Sequence, residues 1–198
     1  MQSTAPRRDR WHGPLDALQT AMLSLWLGSL VMVSAIAAVA FPAMRDLAPT
    51  LPGYSGYPSG HWEIAAGHIM APAFQIADGI QVACATCVGI ALAILIATRR
   101  LRLTNPLSLF RLIIVVVLLG ALIEYLMRVA EPMQTMLREF WAHAASGEVT
   151  LADSVRERFD ALHPRSSMRL GAIMIGLILA IIASLLASAR AQPTEHTT

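Results

Sequence analysis

The chain has 198 residues, of which 56% are hydrophobic and only 14% are charged. With a mean hydropathy of +0.56, this composition excludes a soluble globular domain. The formal net charge of +2 is small and dispersed, so no nucleic-acid partner is predicted. The apolar residues form long runs instead, each able to cross a hydrocarbon layer about 30 Å thick.

Four of these apolar runs predict membrane-spanning helices. In chain order they cover about residues 17–44, 64–98, 106–127 and 167–188. At a rise of about 1.5 Å per residue, each is long enough to span a bilayer. The sequence therefore predicts an all-α polytopic membrane protein, a four-helix transmembrane bundle that forms a single integral membrane domain over residues 1–198. The polar tail, residues 192–198, is expected to be disordered.

The arginines flank these runs asymmetrically. They precede the first run and fill the short link between the second and third, whereas the loop after the first run has one arginine and two acids. The positive-inside rule then places both termini and the link in the cytoplasm, in a plasma membrane that we expect to be the bacterial cytoplasmic membrane. The flanking arginines are Arg7, Arg8, Arg10, Arg99, Arg100, Arg102 and Arg190.

The first run also has features of a secretory signal peptide. Arginines precede it, and Ala38-Val39-Ala40 resembles the small-residue pattern at which signal peptides are cleaved. The run is longer than the usual apolar region of about 7 to 15 residues, and its Trp26-Leu27-Gly28 suits helix packing. We therefore expect an uncleaved first helix and keep cleavage as the alternative.

The two outer loops differ in what they predict. The first, about residues 50–60, is rich in Pro, Gly and Tyr, which favours successive turns in a connector. In the second outer loop, the helix of the third span is expected to continue beyond the membrane, with a kink at Pro132. A short amphipathic helix is then predicted before the last span, with a capping box at Thr150 and Asp153 and an end at Pro164. The continued third helix carries an apolar stripe of Met133, Met136, Leu137, Phe140 and Trp141.

Ionisable and polar residues at membrane depth are costly and usually face a bundle interior, so they are the candidate site. Three lie on one face of the second span, two are four residues apart on the third, and two stand at the start of the fourth. We predict an outward-facing cluster in which arginines offset acids and histidines form the rim. The alternative is that these residues only extend to the headgroups or make structural pairs. The cluster comprises His68, Gln75, Asp78, Glu124, Arg128, His163 and Arg169.

Three other polar features receive a structural interpretation. Arg111, near the cytoplasmic end of its helix, is expected to extend its side chain to the interface. Cys84 and Cys87 form a CxxC motif, but they lie among small residues and are interpreted as packing residues, with soft-metal binding as a weak alternative. His68 and His163 could provide bis-histidine haem ligation, a second alternative. We expect no cofactor.

Short motifs give the chain a resemblance to a known family. Trp26-Leu27-Gly28, Phe41-Pro42 and the stretch Phe159 to Ser166 just before the last span carry it. With them, the chain resembles the four-helix membrane family that includes the cisplatin-resistance-associated transmembrane protein and bacterial relatives. The family pattern often has an Asn after that stretch, and here Ser167 to Gly171 contains none. The resemblance implies a multi-pass membrane protein and supplies no reaction.

The sequence leaves three classes of function open. The favoured one is a non-enzymatic structural or accessory membrane component, working as a homo-oligomer or as a subunit of a larger assembly in the lipid bilayer. The first alternative is a small proton-linked or anion transporter or channel that uses the charged cluster. The second is a membrane anchor that carries haem or a metal ion. No motif indicates an enzyme.

Overall fold

The computed structural model describes residues 12–58, 60–98 and 106–190. These residues form long helices and no strand. The flanking arginines that set the predicted orientation and the tail 192–198 lie outside the described residues or have undescribed side chains. The helices are α1 (His12–Leu47), α2 (His61–Ala97), α3 (Pro106–Tyr125), α4 (Glu131–Ala145) and α5 (Val149–Arg190), with a 3-10 turn at Pro52–Tyr54.

Four helical stretches are long and apolar enough to cross a membrane, which confirms the predicted all-α four-helix bundle. They cover Gly13–Leu47, His61–Ala97, Pro106–Ala145 and Val149–Ala187 and contain 35 to 40 residues each. Since about 20 residues cross the hydrocarbon, each helix also extends well beyond it. The chain is an integral membrane protein.

The four helical stretches form a ring. Helix α1 packs against α2 and α5, while α3 packs against α5 and, less extensively, against α2. The centre of the ring is filled by an apolar core to which every helix contributes, including Leu23, Val88, Leu118 and Leu177. We call the end with residues 12, 98, 106 and 190 the terminal end, and the end with the two described loops the loop end.

The third stretch runs as one helix from α3 into α4 through a π-helical segment, Leu126–Ala130. In this segment the Glu131 N–H bonds to the Leu126 carbonyl, five residues back. Pro132 follows at once, and a proline lacks the N–H that an α-helix needs at that position. The predicted continuation past Arg128 is confirmed, and the irregularity at the proline takes the form of a π segment.

The last stretch corrects one prediction. Pro164 does not end a separate amphipathic helix, because α5 continues through it from Val149 to Arg190. Thr150 lies inside this helix rather than before it. Before the proline, Ala152 and Val155 are buried against α4, and after it Ile173 and Leu177 are buried in the bundle core. This burial on both sides offsets the cost of about 3 kcal/mol for a proline inside a helix.

A second apolar core lies at the loop end. It comprises Tyr57, Ile64, Phe140, Ala144, Ala152 and Val155, with Met136, Leu137 and Trp141 packed against it. Met133 packs against the main core, so the predicted apolar stripe of α4 does face the protein. We call the loop 48–60, the first turns of α2, all of α4 and residues 149–163 of α5 the loop-end subdomain.

Two glycines allow the loops of this subdomain to touch. Gly147 has a φ of 74° and ends α4, with the Glu148 N–H bonded to the His143 carbonyl at 2.9 Å. This is the hydrogen bond of a Schellman cap, in which a left-handed glycine is favoured. A Cβ on Gly56 would lie 2.9 Å from the Gly147 Cα, whereas a Cβ on Gly53 would meet nothing within 4 Å.

Gly56→Ala should therefore lower the free energy of unfolding by about 1–3 kcal/mol, since the new methyl group meets backbone that must move. Unfolding of the detergent-solubilised protein, followed by thermal melting, measures the change. Gly53→Ala in the same loop is the matched control and should leave the melting temperature nearly unchanged. Equal melting temperatures for the two variants would contradict the close contact between the loops.

Candidate functional site

A chain of hydrogen bonds joins α1 and α2 inside the bundle. The Trp26 indole N–H donates to the Gln81 side-chain oxygen at 3.0 Å, and the Gln81 amide donates to an Asp78 carboxylate oxygen at 3.0 Å. Trp26 and Gln81 are fully buried, and Asp78 is half-buried. Both donors point along the chain toward Asp78, so the carboxylate is its final acceptor.

The same region also includes α3 and α5. Tyr125 is buried next to Ser166, and Asp78 lies close enough to the Tyr125 hydroxyl to act on it electrostatically. Each of the four long helical stretches thus contributes a side chain at this level. We call Trp26, Asp78, Gln81, Tyr125 and Ser166 the polar layer.

The charges beside the polar layer are paired only in part. Arg169 of α5 forms an ion pair with Glu124 of α3, as the predicted cluster requires. Arg128 is exposed and makes no ion pair with another described residue. Asp78 likewise has no basic partner in the described part of the chain. The structure therefore joins one predicted acid and arginine and leaves Asp78 among neutral groups.

The remaining members of the predicted cluster lie apart from Asp78. The His68 ring stacks on Trp141, with 3.9 Å between ring centroids, and its Nε2 is 2.8 Å from the Tyr54 hydroxyl. His163 contacts the Phe159 ring instead. No contact joins the two histidines within residues 12–58, 60–98 and 106–190, so the structure does not bring together the ligands of the haem alternative.

Gln75 also has a partner outside the polar layer. Its amide is 3.4 Å from the side-chain oxygen of Gln134 on α4, and it is exposed. The CxxC cysteines differ from each other, since Cys84 is buried in the main core and Cys87 is exposed. Both are free thiols. Among the described residues, no group of three or more His, Cys, Asp and Glu side chains could hold a metal ion.

Arg111 departs from the prediction. Its side chain does not extend to the interface, because it is only 4% exposed and reaches from α3 to α1. There it forms an ion pair with Asp16 at 2.8 Å and donates to the Gln19 side-chain oxygen. A buried guanidinium needs such partners, since an unpaired charge costs several kcal/mol.

The loop at 48–60 is also more than a connector. His61 Nδ1 accepts the Leu51 N–H at 3.0 Å, and its Nε2 lies 2.7 Å from the Tyr57 carbonyl. Because Nδ1 accepts a hydrogen bond and Nε2 faces a carbonyl oxygen, the contacts fit a neutral ring with its proton on Nε2. His61 thereby fixes the loop to the first turn of α2.

Two further contacts fasten α5 to this loop and to α2. The Tyr57 hydroxyl donates to Asp153 at 2.6 Å, and Arg156 pairs with Glu63 at 2.7 Å. Burial raises the pKa of the Tyr57 hydroxyl above its ordinary value, and the hydrogen bond to Asp153 raises it further. Asp153 therefore holds the loop rather than the predicted capping box.

Sequence analysis missed most of these partners for one reason. Gln81 lies 55 positions from Trp26, Arg111 lies 92 from Gln19, and Asp153 lies 96 from Tyr57. Helical periodicity reports which residues share a face of one helix and carries no information on the neighbouring helix.

No family model, curated protein sequence or solved structure matches the chain.

Trp26→Phe should lower the free energy of unfolding by about 1–3 kcal/mol more than Trp141→Phe, because it leaves the buried Gln81 oxygen without its donor. The Trp141 indole N–H has no partner in the described part of the chain, so its loss removes no hydrogen bond seen there. Both variants lose the same ring volume. Equal losses, measured by unfolding in mixed micelles, would show that the Trp26 hydrogen bond does not stabilise the bundle.

Tyr57→Phe should destabilise the loop-end subdomain by about 1 kcal/mol at neutral pH, the usual contribution of one hydrogen bond. Because the folded pKa of Tyr57 is raised, its stabilisation is complete below about pH 10 and is lost as the pH rises through the folded pKa. The difference from the native chain should therefore shrink at high pH in thermal melts. A difference that grows above pH 10 would contradict this sign.

Proposed function

We propose that the protein is a small proton-linked membrane transporter in which Asp78 is the proton-binding group. One observation carries the proposal: a carboxylate in the bundle accepts a hydrogen bond from the neutral Gln81 amide and has no basic partner among the described residues, while Arg169 is paired with Glu124. An ionisable residue at membrane depth is expensive and is commonly found on a pathway for ions or solutes. An acid with a basic partner nearby would have a simpler structural role.

Protonation of Asp78 would change the hydrogen bonds that link α2 to α1. An ionised carboxylate only accepts hydrogen bonds, whereas a protonated one also donates. Adding a proton would weaken the bond from Gln81, which in turn holds Trp26 of α1. Protonation would thereby loosen the contact between α1 and α2, the kind of differential contact that can shift a population between two states.

We further propose an orientation for this transport. The arginines before the first helix and in the link after α2 favour a cytoplasmic terminal end, in a bacterial cytoplasmic membrane. Asp78 and Glu124 then lie near the outer boundary of the hydrocarbon, about 20 residues from the terminal end of their helices. Asp78 would accept its proton from outside the cell.

Solute-driven proton movement tests the proposal. Vesicles containing the full chain and a pH-sensitive dye are exposed to pools of small organic and inorganic anions and cations, with protein-free vesicles as the blank. The native chain should change the internal pH with at least one pool, and Asp78→Asn should abolish that change. Glu139→Gln, which neutralises an exposed carboxylate of α4 outside the polar layer, should retain it. Proton movement that persists in Asp78→Asn, or none with any pool, would contradict the proposal.

A second candidate is a structural membrane component that works as a homo-oligomer, and the small residues of α2 favour it. Gly79, Ala83 and Cys87 recur at four-residue spacing, and all three are exposed on the outside of the bundle. Small residues at this spacing allow close approach of helices in membranes. The occupant we favour on this face is a second copy of the chain.

The native cysteines allow a direct test of this second candidate. Oxidative crosslinking in membranes should give a covalent dimer through the exposed Cys87. Cys84→Ser should retain the dimer, because Cys84 is buried, and Cys87→Ser should lose it. A dimer that fails to form in both the native chain and Cys84→Ser would contradict a symmetric contact at this face.

A further inference from the structure

The ion pair at the terminal end includes buried hydrogen-bond donors that have no acceptor among the described residues. Arg111 reaches across from α3 to Asp16 and Gln19 of α1, although α1 and α3 are not neighbours in the ring. Gln19 is fully buried and Arg111 is 4% exposed. We call Asp16, Gln19 and Arg111 the terminal-end site.

Two donors of this site have no acceptor among residues 12–58, 60–98 and 106–190. They are the Arg111 Nε–H and the NH2 group of the Gln19 side-chain amide. Both nitrogens are inaccessible to solvent. A buried donor left without a partner costs about 1–3 kcal/mol, and more for a charged group. Two of them on adjacent side chains indicate that an acceptor belongs between α1 and α3.

The chemistry of the donors selects the acceptor. Both free groups only donate, and one belongs to a guanidinium, whose planar fork suits the oxygens of a phosphate or carboxylate. Asp16 is 24% exposed and Arg111 only 4%, so a ligand would reach the two buried donors from the Asp16 side, by displacing that carboxylate. Arg111 lies five residues from the start of α3, about 8 Å along the helix, so the site is on the headgroup side of the main core at the terminal end.

We propose that the terminal-end site binds a phosphate group, with Arg111 and Gln19 as its donors and Asp16 as a competing acceptor. The phosphate can come from an anionic lipid headgroup or from inorganic phosphate, since both present the same oxygens. The proposal is independent of Asp78, which lies on another helix at the other end of the main core. Asp16 holds the guanidinium when the site is empty and weakens binding by its charge.

Two substitutions at the site predict opposite changes. Gln19→Glu keeps the oxygen that accepts from Arg111, removes the free donor and adds a negative charge. It should weaken phosphate binding about tenfold or more, while leaving the protein at least as stable. Asp16→Asn keeps the size of the side chain and removes the competing charge, so it should strengthen binding several-fold. Gln75→Glu adds the same charge at an exposed position and should leave binding unchanged.

The experiment measures two probes against the full-length native chain and these variants. Native mass spectrometry counts retained phosphatidylglycerol, and titration calorimetry in detergent measures inorganic phosphate. Binding of the lipid alone identifies a headgroup as the source, and binding of inorganic phosphate identifies the free ion, provided that Gln19→Glu weakens it and Asp16→Asn strengthens it.

The contrary results are equally defined. If neither probe binds, or if binding is the same in the native chain and in both site variants, the terminal-end site holds no phosphate and the proposal is wrong. Should Gln19→Glu fail to fold, Asp16→Asn decides alone, and an unchanged or weaker affinity in that variant overturns the proposal. A gain in stability for Gln19→Glu without any effect on either probe would indicate a purely structural site.

Discussion

The hydrogen bond from Trp26 to Gln81 is the contact on which the arrangement of this bundle depends. In a bilayer, apolar packing against another helix offers little advantage over packing against lipid, so close packing and polar contacts must select helix partners. Gln81 is fully buried and has two polar ends, which take a donor from α1 and an acceptor within α2. Rotating α2 away from α1 would leave the Gln81 side-chain oxygen and the Trp26 N–H without each other as partners.

Polar groups stand at both ends of an apolar core. The polar layer and the Glu124–Arg169 pair lie toward the loop end, while Arg111, Asp16 and Gln19 lie toward the terminal end. Between Arg111 and Tyr125 the α3 helix advances about 21 Å, and Val115, Leu118 and Leu122 fill that length. Beyond the polar layer, the loop-end subdomain adds a second core, which His61, Tyr57 and Arg156 fasten to α2.

The helices were predictable because their signal is local. Runs of about 20 apolar residues define a membrane span, and the stripe on α4 repeats every three or four residues. Pro164 misled the same reasoning, because contacts on either side of it outweigh the local preference for a break. The prediction for Arg111 was wrong for a similar reason. Its position near a helix end favours a side chain that extends to the membrane interface, and its two partners on α1 cannot be predicted from the sequence of α3.

The candidate site was predictable in depth and not in detail. Helix length places Asp78, Glu124 and Arg169 at one level, and the pairing of Glu124 with Arg169 follows from it. Rotation of each helix about its own axis decides the rest. It brings Asp78 close to Tyr125 and leaves Arg128 exposed, while His68 and His163 end on different aromatic rings.

Trp26, Gln81 and Asp78 therefore act as one hydrogen-bonded network that ends on the carboxylate. A double-mutant cycle with Trp26→Phe, Asp78→Leu and the combined variant, followed by unfolding in mixed micelles, tests it most directly. Members of one hydrogen-bonded network should show a coupling of about 0.5–3 kcal/mol, although Trp26 and Asp78 are linked only through Gln81. Effects that add to within about 0.5 kcal/mol would mean that the two residues are independent and would contradict the account.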